Sequence, residues 1–529
     1  GLKMRIQKFV LPSLLALAPL ATWAEVSLAS IYTDNMVLQS GVPLTIWGEA
    51  TDGEIVDVAV AGHSEQTQAI DGKWRVVLEP LEATTDPIEF LVEGPDQVLT
   101  LQNVVVGDVW ICGGQSNMVW PLGKSHKGKS EIWQANHPSL RLFEVPTRRS
   151  FEKEDAMKGT WKPCTPKTAR NFSAVGYYFG VDLQKALGDV PIGIIGVSYS
   201  GTAAQAWSSL EALRTEPSLQ HYAAIADYSP ESVEELTEQY FAVVEPKYRA
   251  ALKQYKEDRA NKVRPRPVRP AKVRPPASDP NLPSVLYNGM IHPLVPFPIK
   301  GLVWYQGNSN SRTKEDAIEY ATLLPNLFHD LRERWGVGDF PIVYVQHAGW
   351  RPGRSLPFLF EAQRLTLRER NVAMVTTTDL GERSNVHPAN KETVGERVAI
   401  AALGLAYGQE DLYMGPMYRN SLAERGRIQV SFDYAAGLKI GQPPVMLEGS
   451  PQPPSDRLAG FEIAGSDGVF KEAEATIAGS EVIVWSDEVS APKYVRYGWS
   501  SWPEVNLYNA ADLPASPFTS LDYREIEDR

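Results

Sequence analysis

A chain of 529 residues is too long for one ordinary core, and with 43% apolar and 22% charged residues it can bury several cores without metal or disulfide staples. The formal net charge of −12 argues against a nucleic-acid partner, which needs a concentrated basic surface. Two cysteines, Cys112 and Cys164, are too few for a disulfide framework or a zinc cluster, and leave open either one bridge or two buried thiols.

The chain starts with Lys3, Arg5 and Lys8, then a largely apolar run from Phe9 to Leu20, then the small residues Ala21 and Ala24. That pattern predicts a secretory signal peptide over 1–24 and an exported protein, periplasmic or extracellular. The run is shorter than the ~20 residues a spanning helix needs, and no later segment reads as membrane-spanning. Over 25–103, alternating stretches such as Leu44 to Trp47 and Val56 to Val60 lie between Gly- and Asp-containing turns, which predicts an N-terminal β-domain.

From 104 to 424 the pattern changes to apolar runs that each lead into Gly, Ser or polar residues. They are Val104 to Cys112, Ile192 to Val197, Gly301 to Tyr305, Ile342 to Val345 and Val372 to Thr376. Helical patterns such as Tyr177 to Leu187 and Ala317 to Trp335 lie between them, the signature of an α/β domain with a parallel sheet. An insertion over about 211–283 starts helical and charged and becomes rich in Arg, Lys and Pro between Lys262 and Pro276. This basic tract reads as a solvated linker or extended polyproline segment, with a grip on an anionic substrate as the alternative. Over 425–529 strand candidates such as Ile428 to Phe432 and Val482 to Val484 predict a C-terminal β-rich module, expected to pack back onto the first one.

The chemistry concentrates at two strand ends. Gly113-Gly114-Gln115-Ser116-Asn117-Met118 follows directly on the strand from Val104. Glycines there let the backbone turn sharply and present a serine hydroxyl above the sheet edge. After Val372 to Thr376 comes Asp379-Leu380-Gly381-Glu382-Arg383-Ser384-Asn385-Val386-His387-Pro388, and then a helical stretch from Lys391 to Tyr407. Of eight histidines, His387 alone combines a strand-end loop, nearby acids and a following helix. His347 reads as a core or surface residue.

With these motifs in place, the chain resembles the sialate O-acetylesterase family of SGNH hydrolases. The likeness is carried by Asp34-Asn35-Met36-Val37-Leu38-Gln39, Gly107-Asp108-Val109-Trp110, the Gly-Gln-Ser-Asn-Met run and Phe172-Ser173-Ala174-Val175. It continues through Ser200-Gly201-Thr202, Leu286-Tyr287-Asn288-Gly289-Met290-Ile291, Trp304-Tyr305-Gln306-Gly307 and His387-Pro388. The resemblance implies a flavodoxin-like α/β core with N-terminal and C-terminal β-rich modules, Ser116 as nucleophile and His387 as base. Gly201 and a polar residue of the Gln306 to Asn310 segment, Gln306 or Asn310, would complete an oxyanion hole beside the Ser116 N–H. No metal or organic cofactor is implied, and the partner is an acetylated carbohydrate. Acyl transfer needs this set: a nucleophile, a base within reach and donors aimed at the developing oxyanion.

Two positions depart from the family pattern. Asn308 stands where Glu usually follows Gln-Gly, in a place that helps position the nucleophile loop. Ser384 and Asn385 stand where SGNH enzymes commonly carry the acid that orients the histidine. Asp379 or Glu382 would then curl back to orient His387, or a backbone carbonyl would do so in a Ser-His dyad. The expected activity is removal of O-acetyl groups, first from sialic acids. Acetylated xylan or xyloglucan is the alternative substrate, and a decayed carbohydrate-binding protein is the reading that Asn308 and the missing acid suggest.

Overall fold

The computed structural model describes residues 25–527 apart from 265, 266, 268, 271, 354 and 410. The expected signal peptide lies outside the described residues, among which no helix is long and apolar enough to cross a membrane. The fold is mixed α/β with a mostly parallel central sheet and further β-rich sheets on either side in sequence.

The central sheet contains β1 (Val104–Gly114), β2 (His137–Glu144), β3 (Lys162–Cys164), β4 (Ile192–Ser198), β5 (Gly301–Tyr305), β6 (Ile342–Val345) and β7 (Val372–Val375). Their order is β3-β2-β4-β1-β5-β6-β7, parallel throughout except for β3. Every position of β1, β4, β5, β6 and β7 is buried, as continuous apolar runs must be when both faces of a parallel sheet are covered. Two helix pairs provide that cover. Helix α1 (Ala174–Ala186) packs on α4 (Glu392–Tyr407), and α2 (Lys314–Trp335) packs on α3 (Leu356–Leu365). The first pair approaches closely because Gly395 has no side chain: a Cβ there would lie 2.4 Å from that of Tyr178. Helix α2 begins with a capping box between Thr313 and Asp316 and ends at Gly336 in the left-handed region.

Strand β1 belongs to two neighbourhoods. Its first residues pair with Val37–Gln39 and Thr84–Ile88 from the N-terminal β region, and from Asp108 onward it pairs with β4 and then β5. Asp108 sits where the partners change. Its carboxyl accepts from Gln39 Nε2 at 2.8 Å, Ser40 Oγ at 3.1 Å and the Tyr407 hydroxyl at 2.7 Å, while Gln39 Oε1 accepts from the Val109 N–H at 2.8 Å. The remaining N-terminal strands form a three-stranded sheet and a four-stranded sheet.

The C-terminal β region has its own apolar cluster around Val430, Ile463, Val482, Val495 and Phe518. The sequence expects it to lie against the first β-module, yet the polar contacts that anchor it run to the central domain. Ser516 Oγ accepts from Gln346 Nε2 at 2.9 Å, and Tyr508 donates to Asp379 at 3.0 Å. Within the insertion, Pro230–Gln239, Tyr240–Val244 and Glu245–Ala260 form one continuous, mostly exposed helical stretch. Cys112 and Cys164 are both buried and free, and burial pushes the Cys164 thiol up to about 12.

Asp108→Ala leaves the Gln39 amide and the Tyr407 hydroxyl without their acceptor. It should lower the unfolding free energy by about 2–4 kcal/mol, read from the urea midpoint.

Candidate active site

The carboxyl ends of β1, β4, β5 and β7 all open on one edge, the place where open α/β sheets bind ligands. At the end of β1, Gly114 has φ 138°, and a Cβ there would sit 2.2 Å from the Tyr305 carbonyl oxygen, so only glycine fits. The chain then turns into the short helical segment Ser116–Val119, with Ser116 half-buried at its start. The preceding Gln115 is buried, and its Oε1 accepts from the N–H groups of Gly307 at 3.2 Å and Ser309 at 3.4 Å. The nucleophile loop is thereby tied to the loop after β5 through backbone amides. Asn308, where the family pattern has Glu, lies between those two amides and makes no side-chain hydrogen bond among the described residues.

His387 lies half-buried in the loop after β7. Asn385 shapes that loop: its Oδ1 accepts from the His387 N–H at 3.0 Å, and its Nδ2 donates to the His387 carbonyl at 2.8 Å and to Glu382 at 2.8 Å. The ring nitrogens of His387 have no hydrogen-bond partner among the described residues. The imidazole instead stacks on Trp120, with ring centroids 5.3 Å apart and planes inclined by 22°.

Neither acid expected to orient the ring reaches it. Asp379 is buried and bidentate to Arg397, at 2.7 Å for both contacts, and Tyr508 takes a further position on its Oδ2. A buried carboxylate held this way cannot leave its guanidinium without stranding a charge. Glu382 spends its two oxygens on the Asn385 amide and on the Ala389 N–H, the latter at 2.6 Å, so it braces the loop and not the ring. Asp379 and Glu382 as ring-orienting acids are therefore corrected.

The N–H groups of Ser116 and Gly201 have no protein partner among the described residues. Gln306 and Asn310 are engaged internally. Gln306 Nε2 donates to the Thr202 carbonyl at 3.2 Å and to Asn310 Oδ1 at 2.8 Å, and Asn310 Nδ2 donates to Gln205 at 3.1 Å. Both are buried, where polar groups need partners, and they brace the loops after β4 and β5. Gln306 has given both its amide N–H groups away, whereas Asn310 Nδ2 keeps a second N–H with no protein partner among the described residues.

A cation completes the site. Lys391, only 1% exposed, donates its ammonium to Asn117 Oδ1 at 2.5 Å, and Asn117 Nδ2 donates to the Val386 carbonyl at 3.0 Å. The residues next to Ser116 and His387 are thus hydrogen-bonded to each other. Burial pushes the Lys391 amine down to about 7, partly opposed by Glu382. Burial, and then the Lys391 charge, lower the proton affinity of His387. His347 is fully buried, which pushes it down to about 4, and its Nδ1 lies 2.6 Å from the Ala348 carbonyl. Sequence reasoning assigned no part to Gln115, Asn117, Trp120 or Lys391. The available signals were the side chains flanking Ser116 and a helix that opens on lysine instead of a capping residue.

Residues 283–404 match the family model described as a carbohydrate esterase, sialic acid-specific acetylesterase. The chain is 28% identical to a sialate O-acetylesterase of Rattus norvegicus, over 92% of this chain and 93% of the relative. It is 27% identical to that of Homo sapiens, over 95% of each. A solved carbohydrate acetylesterase from Xanthomonas citri is similar at TM-score 0.77 and 31% identity, with 94% of this chain and 99% of that one covered.

Glu382→Gln should cost less than about 10-fold in turnover of an aryl acetate, against the ~10⁴-fold expected for loss of a triad acid. Asp379→Asn should act through stability, lowering it by about 3–5 kcal/mol because Arg397 loses its buried partner, while the folded fraction keeps its turnover. Thermal melts run beside the kinetics separate the two effects.

Proposed function

Because this chain belongs to the sialate O-acetylesterase family of carbohydrate esterases, we propose that it hydrolyses O-acetyl esters of sialic acids with Ser116 as nucleophile and His387 as general base. The observation that carries this reading is the hydrogen bond from Asn117 to the Val386 carbonyl, which holds the residues adjoining Ser116 and His387 together at one sheet edge.

In the reaction, His387 takes the Ser116 proton as the hydroxyl attacks the acetyl carbonyl. The free N–H groups of Ser116 and Gly201 receive the oxyanion, and the imidazolium returns the proton to the departing sugar oxygen. Water then repeats the sequence on the acetyl-enzyme and releases acetate. His387 works here without a carboxylate on its ring, which makes the pair a dyad whose base is oriented by stacking on Trp120.

An anionic sugar is favoured over neutral xylan or xyloglucan by two arginines on the same side. Arg351 and Arg383 are joined by the Arg351 N–H to the Arg383 carbonyl at 2.9 Å. Both are exposed, and neither forms an ion pair among the described residues. Arg383 lies four residues before His387 on the same loop. We read the sheet as flavodoxin-like, since without the edge strands β2 and β3 its order is that of the 2-1-3-4-5 class. Export to the periplasm or the extracellular space, from the basic and then apolar start, and module boundaries near 103 and 424 complete the proposal.

Ser116→Ala and His387→Ala should each fold and lose roughly 10⁶-fold in acetate release from O-acetylated sialic acids. Retained turnover in either would remove the assignment, and equal or faster release from acetylated xylan would move the substrate. The double change Arg351→Ala, Arg383→Ala should raise KM for acetylated sialic acids about 10-fold or more, as for lost charge-assisted contacts, while KM for a neutral aryl acetate stays put.

A further inference from the structure

Lys391 occupies a place that physical chemistry disfavours for a cation. It is buried, its ammonium has no carboxylate within ion-pair distance among the described residues, and it stands at the N-terminal end of α4, where the helix dipole is positive. Its hydrogen-bond partner is the amide oxygen of Asn117, and the Tyr305 ring centroid lies 5.5 Å from its nitrogen. An ammonium only donates and a backbone carbonyl only accepts. Asn117, caught between Lys391 and the Val386 carbonyl, therefore has a single amide orientation, with its NH₂ group toward the histidine loop.

We propose that Lys391 is a positioning residue of the esterase site, locking Asn117 as the strut between the nucleophile and histidine loops. The proposal rests on the assignment of Ser116 and His387 given above. The groups facing the lysine are Asn117 after β1, Tyr305 at the end of β5, His347 after β6, and Glu382 and His387 on the loop after β7. Glu382 is the one acid in this group, and its oxygens are held by Asn385 and Ala389. The lysine charge also bears on the base. A neighbouring cation disfavours the imidazolium, so the base form of His387 persists to lower pH while Lys391 is charged, and removing the charge raises the proton affinity of His387 toward its ordinary value.

The test is the pH profile of kcat/KM for an aryl acetate, measured for the full chain and for Lys391→Met, which keeps an unbranched side chain and drops the charge. Circular dichroism establishes that the variant is folded. The acidic limb should move to higher pH by about half a unit or more, and kcat should fall about 10–100-fold as the strut loosens. Asn117→Ala, which removes the strut and keeps the cation, should lower kcat without an upward move of the limb. A folded Lys391→Met with an unmoved limb overturns the proposal. If Lys391→Met does not fold, an Asn117→Ala variant with unchanged kcat overturns it instead. Ser116→Ala in the same assay separates the two levels: a dead Ser116→Ala beside an unmoved limb sinks the lysine alone, and an active Ser116→Ala sinks the catalytic assignment together with it.

Discussion

The site depends on one buried strand that is shared between two neighbourhoods. Because β1 pairs at its start with N-terminal strands and at its end with β4 and β5, the direction in which Ser116 leaves the sheet is fixed from both sides. The Asp108 carboxyl makes the junction rigid by collecting donors from the adjacent Gln39 and Ser40 and from the distant Tyr407. A buried carboxyl is favourable only when its lone pairs are filled, so the same requirement that makes the junction costly to lose makes it specific. The N-terminal module is in this sense part of the catalytic scaffold.

The histidine loop shows a different economy. In a triad, one carboxylate both orients the ring and opposes the charge it acquires. Here no carboxylate touches the ring among the described residues. Asn385 and Glu382 hold the loop backbone, Trp120 holds the ring plane, and Asp379 is committed to Arg397 deeper inside. Asparagine at 385 can both accept from one backbone group and donate to another, which an ionised aspartate cannot.

Much of the frame was legible because continuous apolar runs announce buried parallel strands. Gly301 to Tyr305 and Ile342 to Val345 have the expected bounds, and β1 extends only to Gly114. Strand β2 was not visible, since His137-Pro138 opens it and its first three residues are not fully buried, so no continuous apolar run announces it. The places of Ser116 and His387 in loops after β1 and β7 were readable from the strand runs that precede them. Their supports were not, because the role of Gln115, Asn117 or Lys391 depends on which carbonyl or amide a distant loop brings near. The link between Gln306 and Asn310 was hidden for the same reason: their amides meet each other across one turn, a fact that spacing alone does not reveal.

The ion pair of Asp379 and Arg397 joins distant parts of the chain. Arg397 also donates to the Thr376 carbonyl, Tyr508 donates to Asp379, and the neighbouring Gly381 packs beside Trp502. The floor beneath the histidine loop is therefore closed by residues more than a hundred positions downstream of it, so the C-terminal strands, remote in sequence from both chemical motifs, form part of the ground on which the histidine loop rests.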